Sequence, residues 1–237
     1  MAKLHVQIEP VALLRDAANA GQADPVRIAL QAELGSADGI VCPLRDESAG
    51  LSDRDLKMMR DLVQSELTIL VPTREHLVSK AMSLGPTRVV MIPGKKPGST
   101  SGGGMDVLGH AEQLAKVVDG FRSQKILIHL LVEPLLQQIK AVAKLGADGV
   151  HLHLGKYAQL KDAPDQYDFV QAVADAAIAA RKMELTVSAG FGLTFNNASE
   201  FAAIGQIDAF HAGRSIIARA LLIGMEPAVR DMAALVH

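Results

Sequence analysis

The chain has almost no cysteine and few aromatic side chains. Of its 237 residues Cys42 is the only cysteine, tryptophan is absent, and two tyrosines and six phenylalanines make up the aromatics. A lone cysteine excludes an internal disulfide framework and any multi-cysteine metal site, and it suits a reducing compartment. Neither sign of charge dominates, since 24 Lys plus Arg face 26 Asp plus Glu. No basic stripe interleaved with aromatics occurs, so the electrostatic footprint of a nucleic-acid partner is missing. No apolar run is long enough to span a bilayer, and Met1-Ala2-Lys3-Leu4-His5-Val6 lacks the long apolar core of a secretory signal. The expectation is a cytoplasmic protein without a membrane or nucleic-acid partner. No cofactor and no metal is expected.

What the chain does have is alternation. Short β-rich runs at 4–8, 39–43, 67–71, 88–92, 125–132, 149–154, 185–189 and 209–212 are each followed by a helical pattern. Eight such units in one domain of 1–237 point to a parallel sheet. Right-handed crossovers make a closed eight-stranded (β/α)8 barrel of the TIM type, surrounded by helices, the economical topology. An internal echo supports this. Residues 28–40 resemble residues 139–150, and in both copies a glycine (Gly35, Gly146) ends a helix before an Asp-Gly pair starts a strand. Ser52 with Asp55 reads as a loose capping box, Thr73 as a helix start, and Pro25 and Pro134 as first-turn prolines.

Two stretches carry the functional signal. Ser188-Ala189-Gly190-Phe191-Gly192-Leu193-Thr194 and Phe210-His211-Ala212-Gly213-Arg214 each run from an apolar strand through glycine into a helical pattern. Gly190, Gly192 and Gly213 let the backbone approach a ligand closely, and a helix starting near Arg214 aims its positive end at the same place. After strands seven and eight of a barrel, that is the frequent phosphate site. Arg214 suits it, because a guanidinium pairs with phosphate through two parallel hydrogen bonds. Residues 93–104, with Gly102, Gly103 and Gly104 at their end, form the one long irregular stretch and read as a movable lid or a flexible connector. Lys95 and Lys96 lie there, but the order G-x-x-x-x-G-K-[ST] of a nucleotide loop is absent.

These motifs are collinear with a known family. Val6 to Arg15, Asp24-Pro25-Val26, Leu44-Arg45, Ser52 to Asp55, Gly103 to Val107, Gly155 to Ala158, Ser188 to Thr194 and Gly213 to Ala220 resemble the pyridoxine 5′-phosphate synthase family. Its members condense 1-deoxy-D-xylulose 5-phosphate with an amino-hydroxyacetone phosphate in vitamin B6 synthesis. The resemblance implies the barrel fold, a homo-oligomer, phosphate binding, and ring closure by positioned acids and bases. Where the family pattern places a histidine before Leu-Arg this chain has Pro43. Leu70 stands in place of a glutamate on the third strand, and Phe191 in place of the histidine of Gly-His-Gly. An Asn-x-Asp-His pattern has become Gln7-Ile8-Glu9-Pro10, a family arginine aligns with Ala18, and a histidine after the last strand's glycine is Arg214.

The glycine frame and Arg45 are kept, while proton carriers give way to apolar groups. Gln7, Arg45, Gly190, Gly192, Gly213 and Arg214 are therefore the expected phosphate and substrate contacts. The first expectation is a binder of a phosphorylated small molecule with the family condensation lost or altered. Two alternatives stand beside it, an active synthase using Glu9 and His153 as relocated acid and base, and a non-catalytic regulatory subunit. His151 and His153 point to one side of their strand, with His129 on the strand before and His211 on the eighth. The family has a histidine matching His153 and a glutamate matching His151. Glu133 matches a family acidic position. Such histidines bind a metal, act as acid and base, or, most often, are held by neighbouring hydrogen bonds.

Overall fold

A computed structural model describes residues 1–46, 50–94 and 103–237. The strands β1 (Lys3–Gln7), β2 (Gly39–Pro43), β3 (Glu66–Pro72), β4 (Arg88–Ile92), β5 (Leu127–Val132), β6 (Gly149–His153), β7 (Thr186–Gly190) and β8 (Ala209–Ala212) are all parallel. They pair in chain order and close through β1 against β8, so the expected barrel is borne out. The outer ring holds α1 (Glu9–Ala17), α2 (Pro25–Leu34), α3 (Asp53–Leu62), α4 (Glu75–Leu84), α5 (Ala111–Ser123), α6 (Leu136–Lys144), α7 (Ala163–Lys182), α8 (Ala198–Ala202), α9 (Arg214–Ile223) and α10 (Met225–Val236). Among the described residues no helix is long and apolar enough to cross a membrane.

Strand alternation sorts the side chains into two layers. Leu4, Ile40, Ile69, Met91, Leu130 and Phe210 face outward into the core shared with the helices. Inside the barrel, Val41, Leu70, Val90 and Leu131 form a separate apolar stack on the β2–β5 side. The β5–β8 and β1 side of the interior is polar, carrying His129, His151, Ser188, His211 and His5, all buried.

The start of every even-numbered strand is fastened to the strand before it. Asp38 Oδ2 accepts the Leu4 N–H at 2.8 Å, Asp148 Oδ2 that of Ile128 at 2.8 Å, and Asp208 Oδ2 that of Val187 at 2.8 Å. Before β4 the same place is taken by Thr87, whose Oγ1 accepts the Leu67 N–H at 3.4 Å. Each carboxylate satisfies a backbone donor that lies below the first ladder bond. The Asp-Gly echo in the sequence is thus a register device.

The helix signals are partly borne out. Ser52 and Asp55 form a reciprocal capping box, and Pro25 opens α2 behind its Asp24 cap. Thr73 does not cap α4; Arg74 occupies that position without a side-chain bond. Pro134 lies outside α6, whose first residue is Leu136. The two echoed glycines differ in cause. Gly146 has φ +72°, the left-handed geometry of a helix stop. Gly35 has φ −80°, and what demands glycine there is α10, because a Cβ would lie 2.7 Å from the Glu226 carbonyl oxygen.

Candidate functional site

At the carboxyl ends of the strands lies a cavity of about 690 Å³, in the range of small-molecule sites. Gln7, Glu9, Arg45, Gly192, Gly213 and Arg214 line it together, so six positions singled out in the sequence meet in one place. Gly190, His153, Gly103 and Gly104 are not part of its lining. Gly102, with Lys95 and Lys96, lies outside the described residues.

One end of the cavity is built by β7, β8 and the start of α9. Gly213 caps α9, Arg214 is its first residue, and the first intrahelical bond runs from Ile217 N–H to Gly213 O at 2.9 Å. The N–H groups of that first turn have no partner within the helix and carry the positive end of its dipole. Arg214 is exposed and has no acidic partner among the described residues. The neighbouring turn is braced by Asn197, whose Oδ1 accepts from Thr194 N–H at 2.7 Å while its Nδ2 donates to Gly192 O at 3.0 Å. The sequence reading passed over Asn197. Its only local signal was an asparagine just ahead of a helical run.

The glycines here are required by the packing of the barrel itself. A Cβ on Gly213 would lie 2.8 Å from Gln7 Cβ and 2.9 Å from the Gln7 carbonyl oxygen. One on Gly192 would meet the Leu154 carbonyl oxygen at 3.0 Å, and one on Gly190 would meet His151 Nε2 at 2.9 Å. The close approach that the structure shows at these glycines is one between neighbouring strands and their loops.

Glu9 is the first residue of α1 and nearly buried, whereas Arg45 follows β2 by two residues. Arg45 grips Glu9 with both Nε and Nη2, the latter at 2.9 Å, and Gln7 Nε2 donates to the same carboxylate at 3.3 Å. The carboxylate is thus already engaged on both oxygens. Arg74 and His76 similarly hold Asp46 at the rim. The lining also has an apolar part, made by Pro43, Leu70, Pro72, Ile92 and Phe191. Phe191 has φ +64°, a left-handed backbone that a bulky side chain rarely takes.

His153 and Glu133 meet beside this cavity. His153 Nδ1 lies 3.0 Å from Glu133 Oε1, and the same oxygen accepts the Gly104 N–H at 2.7 Å. Burial works to raise the Glu133 carboxyl, but His153 and the Gly104 amide hold it below its ordinary value. Gly103 and Gly104 are thereby tied to the end of β5.

Below the cavity the histidines gather around two hydroxyls, those of Thr186 and Ser188. Thr186 Oγ1 donates to the Asp148 carbonyl at 2.9 Å and lies 2.8 Å from His129 Nε2. Ser188 Oγ lies 3.0 Å from His129 Nδ1 and 2.8 Å from His151 Nδ1, and donates to the Val150 carbonyl at 3.3 Å. Both rings are neutral and hydrogen-bonded. His211 stacks on His5 at 5.0 Å between ring centroids and tilts against His151 at 4.4 Å. Burial lowers His151 to about 3 and His5 to about 4, and it holds His129 and His211 well below the usual imidazole value. Arg88 opposes the charging of all four, and Glu66 Oε2, 3.8 Å from His5 Nε2, only partly offsets this at His5. Burial also raises the Cys42 thiol, which makes it inert.

This cluster sets an acid limit on the fold. A histidine with a lowered folded pKa binds its proton more readily when unfolded, so stability is full above about 6.5 and falls as pH drops toward the folded values. Urea midpoints measured from pH 7 to pH 4.5 should fall steeply, with uptake of up to about four protons per unfolding event. A flat profile over that range would mean that the rings are solvated.

Residues 4–237 match the family described as "Pyridoxal phosphate biosynthesis protein PdxJ". A protein from Geobacter sp. (strain M21) named pyridoxine 5′-phosphate synthase is 39% identical over 237 residues, covering 100% of this chain and 99% of the relative. Another of the same name from Prochlorococcus marinus (strain MIT 9215) is 35% identical over 236 residues, with 100% and 99% coverage. Among solved structures, a thiamine phosphate pyrophosphorylase from Pyrococcus furiosus superposes with TM-score 0.64 at 14% identity, over 99% of this chain and 95% of that one. A phosphoribosylanthranilate isomerase from Thermotoga maritima does so with TM-score 0.63 at 12% identity, over 100% and 98%. These two likenesses concern the fold alone. With a match across nearly its whole length and full-length relatives at this identity, the chain belongs to the PdxJ family of pyridoxal phosphate biosynthesis proteins.

Proposed function

We propose that this member binds a phosphorylated small molecule at the barrel mouth and has lost the ring-closing condensation. One observation carries the reading. The cavity joins an open anion-binding end, at Gly192, Gly213 and Arg214, to walls where Pro43, Leu70 and Phe191 offer no proton to exchange. The titratable groups that do line it are committed elsewhere. Glu9 is held by Arg45, Asp46 by Arg74, and His211 is buried and neutral. The route through relocated groups loses support from the same geometry, since His153 stands outside the lining and pairs with Glu133.

Calorimetric titration with sn-glycerol 3-phosphate and inorganic phosphate tests the binding half. Arg214→Ala, at an exposed position, should leave thermal stability unchanged and weaken binding by about 10-fold or more, the loss of a charge-assisted hydrogen bond. Failure of every phosphate ester to bind, or an unchanged affinity in Arg214→Ala, would refute the assignment.

A further inference from the structure

Three of the polar residues that meet in the cavity pair with one another. Arg45 reaches both oxygens of Glu9 through Nε and Nη2, and Gln7 Nε2 donates to Oε2 of the same carboxylate at 3.3 Å. Such a two-bond grip is the geometry in which a guanidinium holds a phosphate or a carboxylate ligand. Here the anion in that grip belongs to the chain itself. Asp46 stands in the same way on Arg74 at the rim.

Charge and burial keep Glu9 in place. It is buried and is the first residue of α1, where the helix dipole favours a carboxylate. A second phosphate brought to Arg45 would either lie beside that carboxylate, against like-charge repulsion, or displace it and leave a buried charge without its cation. Both are costly. Among the described residues the lining holds three guanidiniums, Arg45, Arg74 and Arg214, against two carboxylates, Glu9 and Asp46. Pairing Arg45 with Glu9 and Arg74 with Asp46 leaves one positive charge, at Arg214 where α9 starts. His211 adds none, since burial keeps its ring neutral. The lining therefore suits a ligand with one anionic end.

We propose that Glu9 determines specificity by occupying Arg45 as a built-in anion, so that the cavity accepts a ligand with a single phosphate and discriminates against bisphosphates. This rests on the phosphate reading given above, with the ligand's one phosphate at Gly213 and Arg214.

Calorimetry on the whole protein with 6-hydroxyhexyl phosphate and hexane-1,6-diyl bisphosphate tests it. The two differ only in the second phosphate, on a chain flexible enough to span a cavity of this size. On the parent protein the bisphosphate should bind within about threefold of the monophosphate, much of that being the statistical advantage of two equivalent ends. In Glu9→Gln, which keeps the size and shape of the side chain, the bisphosphate should gain about tenfold or more over the monophosphate, the worth of a charge-assisted hydrogen bond to Arg45. Adding Arg45→Gln to that variant should abolish the gain. A parent protein that prefers the bisphosphate by tenfold overturns the proposal without recourse to any variant. A Glu9→Gln protein with no new preference, or a preference that survives Arg45→Gln, overturns it as well. In each of these cases the monophosphate still binds and the phosphate site stands. If neither ester binds the parent, both readings fall.

Discussion

Incubated with 1-deoxy-D-xylulose 5-phosphate and the amino-hydroxyacetone phosphate, the purified protein should form no pyridoxine 5′-phosphate above the uncatalysed control. The expected deficit is at least about 10⁴-fold against a synthase from one of the relatives assayed alongside. General acids and bases contribute about 10² to 10⁴ each, and the family resemblance implies that Pro43, Leu70 and Phe191 replace three of them. Groups that act as a unit do not lose rate additively, so the product of three factors overstates the deficit and the largest single factor is its floor. The carboxylates that line the cavity, Glu9 and Asp46, are held by Arg45 and Arg74. Restoring histidine at position 191 alone should recover nothing measurable, for the same reason. Product formation within tenfold of the relative would show that other groups have taken over, and the proposed loss of the condensation would be wrong.

The largest expected effect on the fold is at Gly149. A Cβ there would lie 2.4 Å from both the carbonyl oxygen and Oγ1 of Thr186, and 2.6 Å from His129 Nε2. None of these is the loose end of a flexible side chain. The two side-chain atoms are partners in the 2.8 Å contact between Thr186 and His129. Gly149→Ala must therefore push β6 away from β7 or break the Thr186–His129–Ser188 chain, and should destabilise the protein by about 3 kcal/mol or more. Gly205→Ala is the control, since nothing lies within 4 Å of a Cβ there, and it should stay within about 0.5 kcal/mol of the parent. Urea unfolding followed by circular dichroism compares the three proteins. A Gly149→Ala protein as stable as the control would mean that β6 does not pack as described.

Much of this molecule was legible in the order of its residues. The strands fall where short β-rich runs were read, with ends shifted by a residue or two, and the Ser52–Asp55 cap and Pro25 start are local chemistry within four positions. Family membership and the convergence of Gln7, Glu9, Arg45, Gly192, Gly213 and Arg214 also followed, because loops after parallel strands of a barrel must gather at one face.

Closure of the barrel decided the rest. Glu9 looked like a free acid until β2 brought Arg45, 36 positions away, onto both its oxygens. Hydrogen bonds are the commonest fate of histidines such as His129 and His151, but that Ser188, from a third strand, supplies them is decided by the barrel. Gly35 looked like a helix stop, and its cause turned out to be α10, nearly two hundred residues on. Local propensity and strand alternation are written in neighbouring residues and survive without tertiary structure. Whether a carboxylate is paired, a ring is neutral or a glycine is crowded depends on distances of about 3 Å between distant parts of the chain, and only the closed barrel sets those.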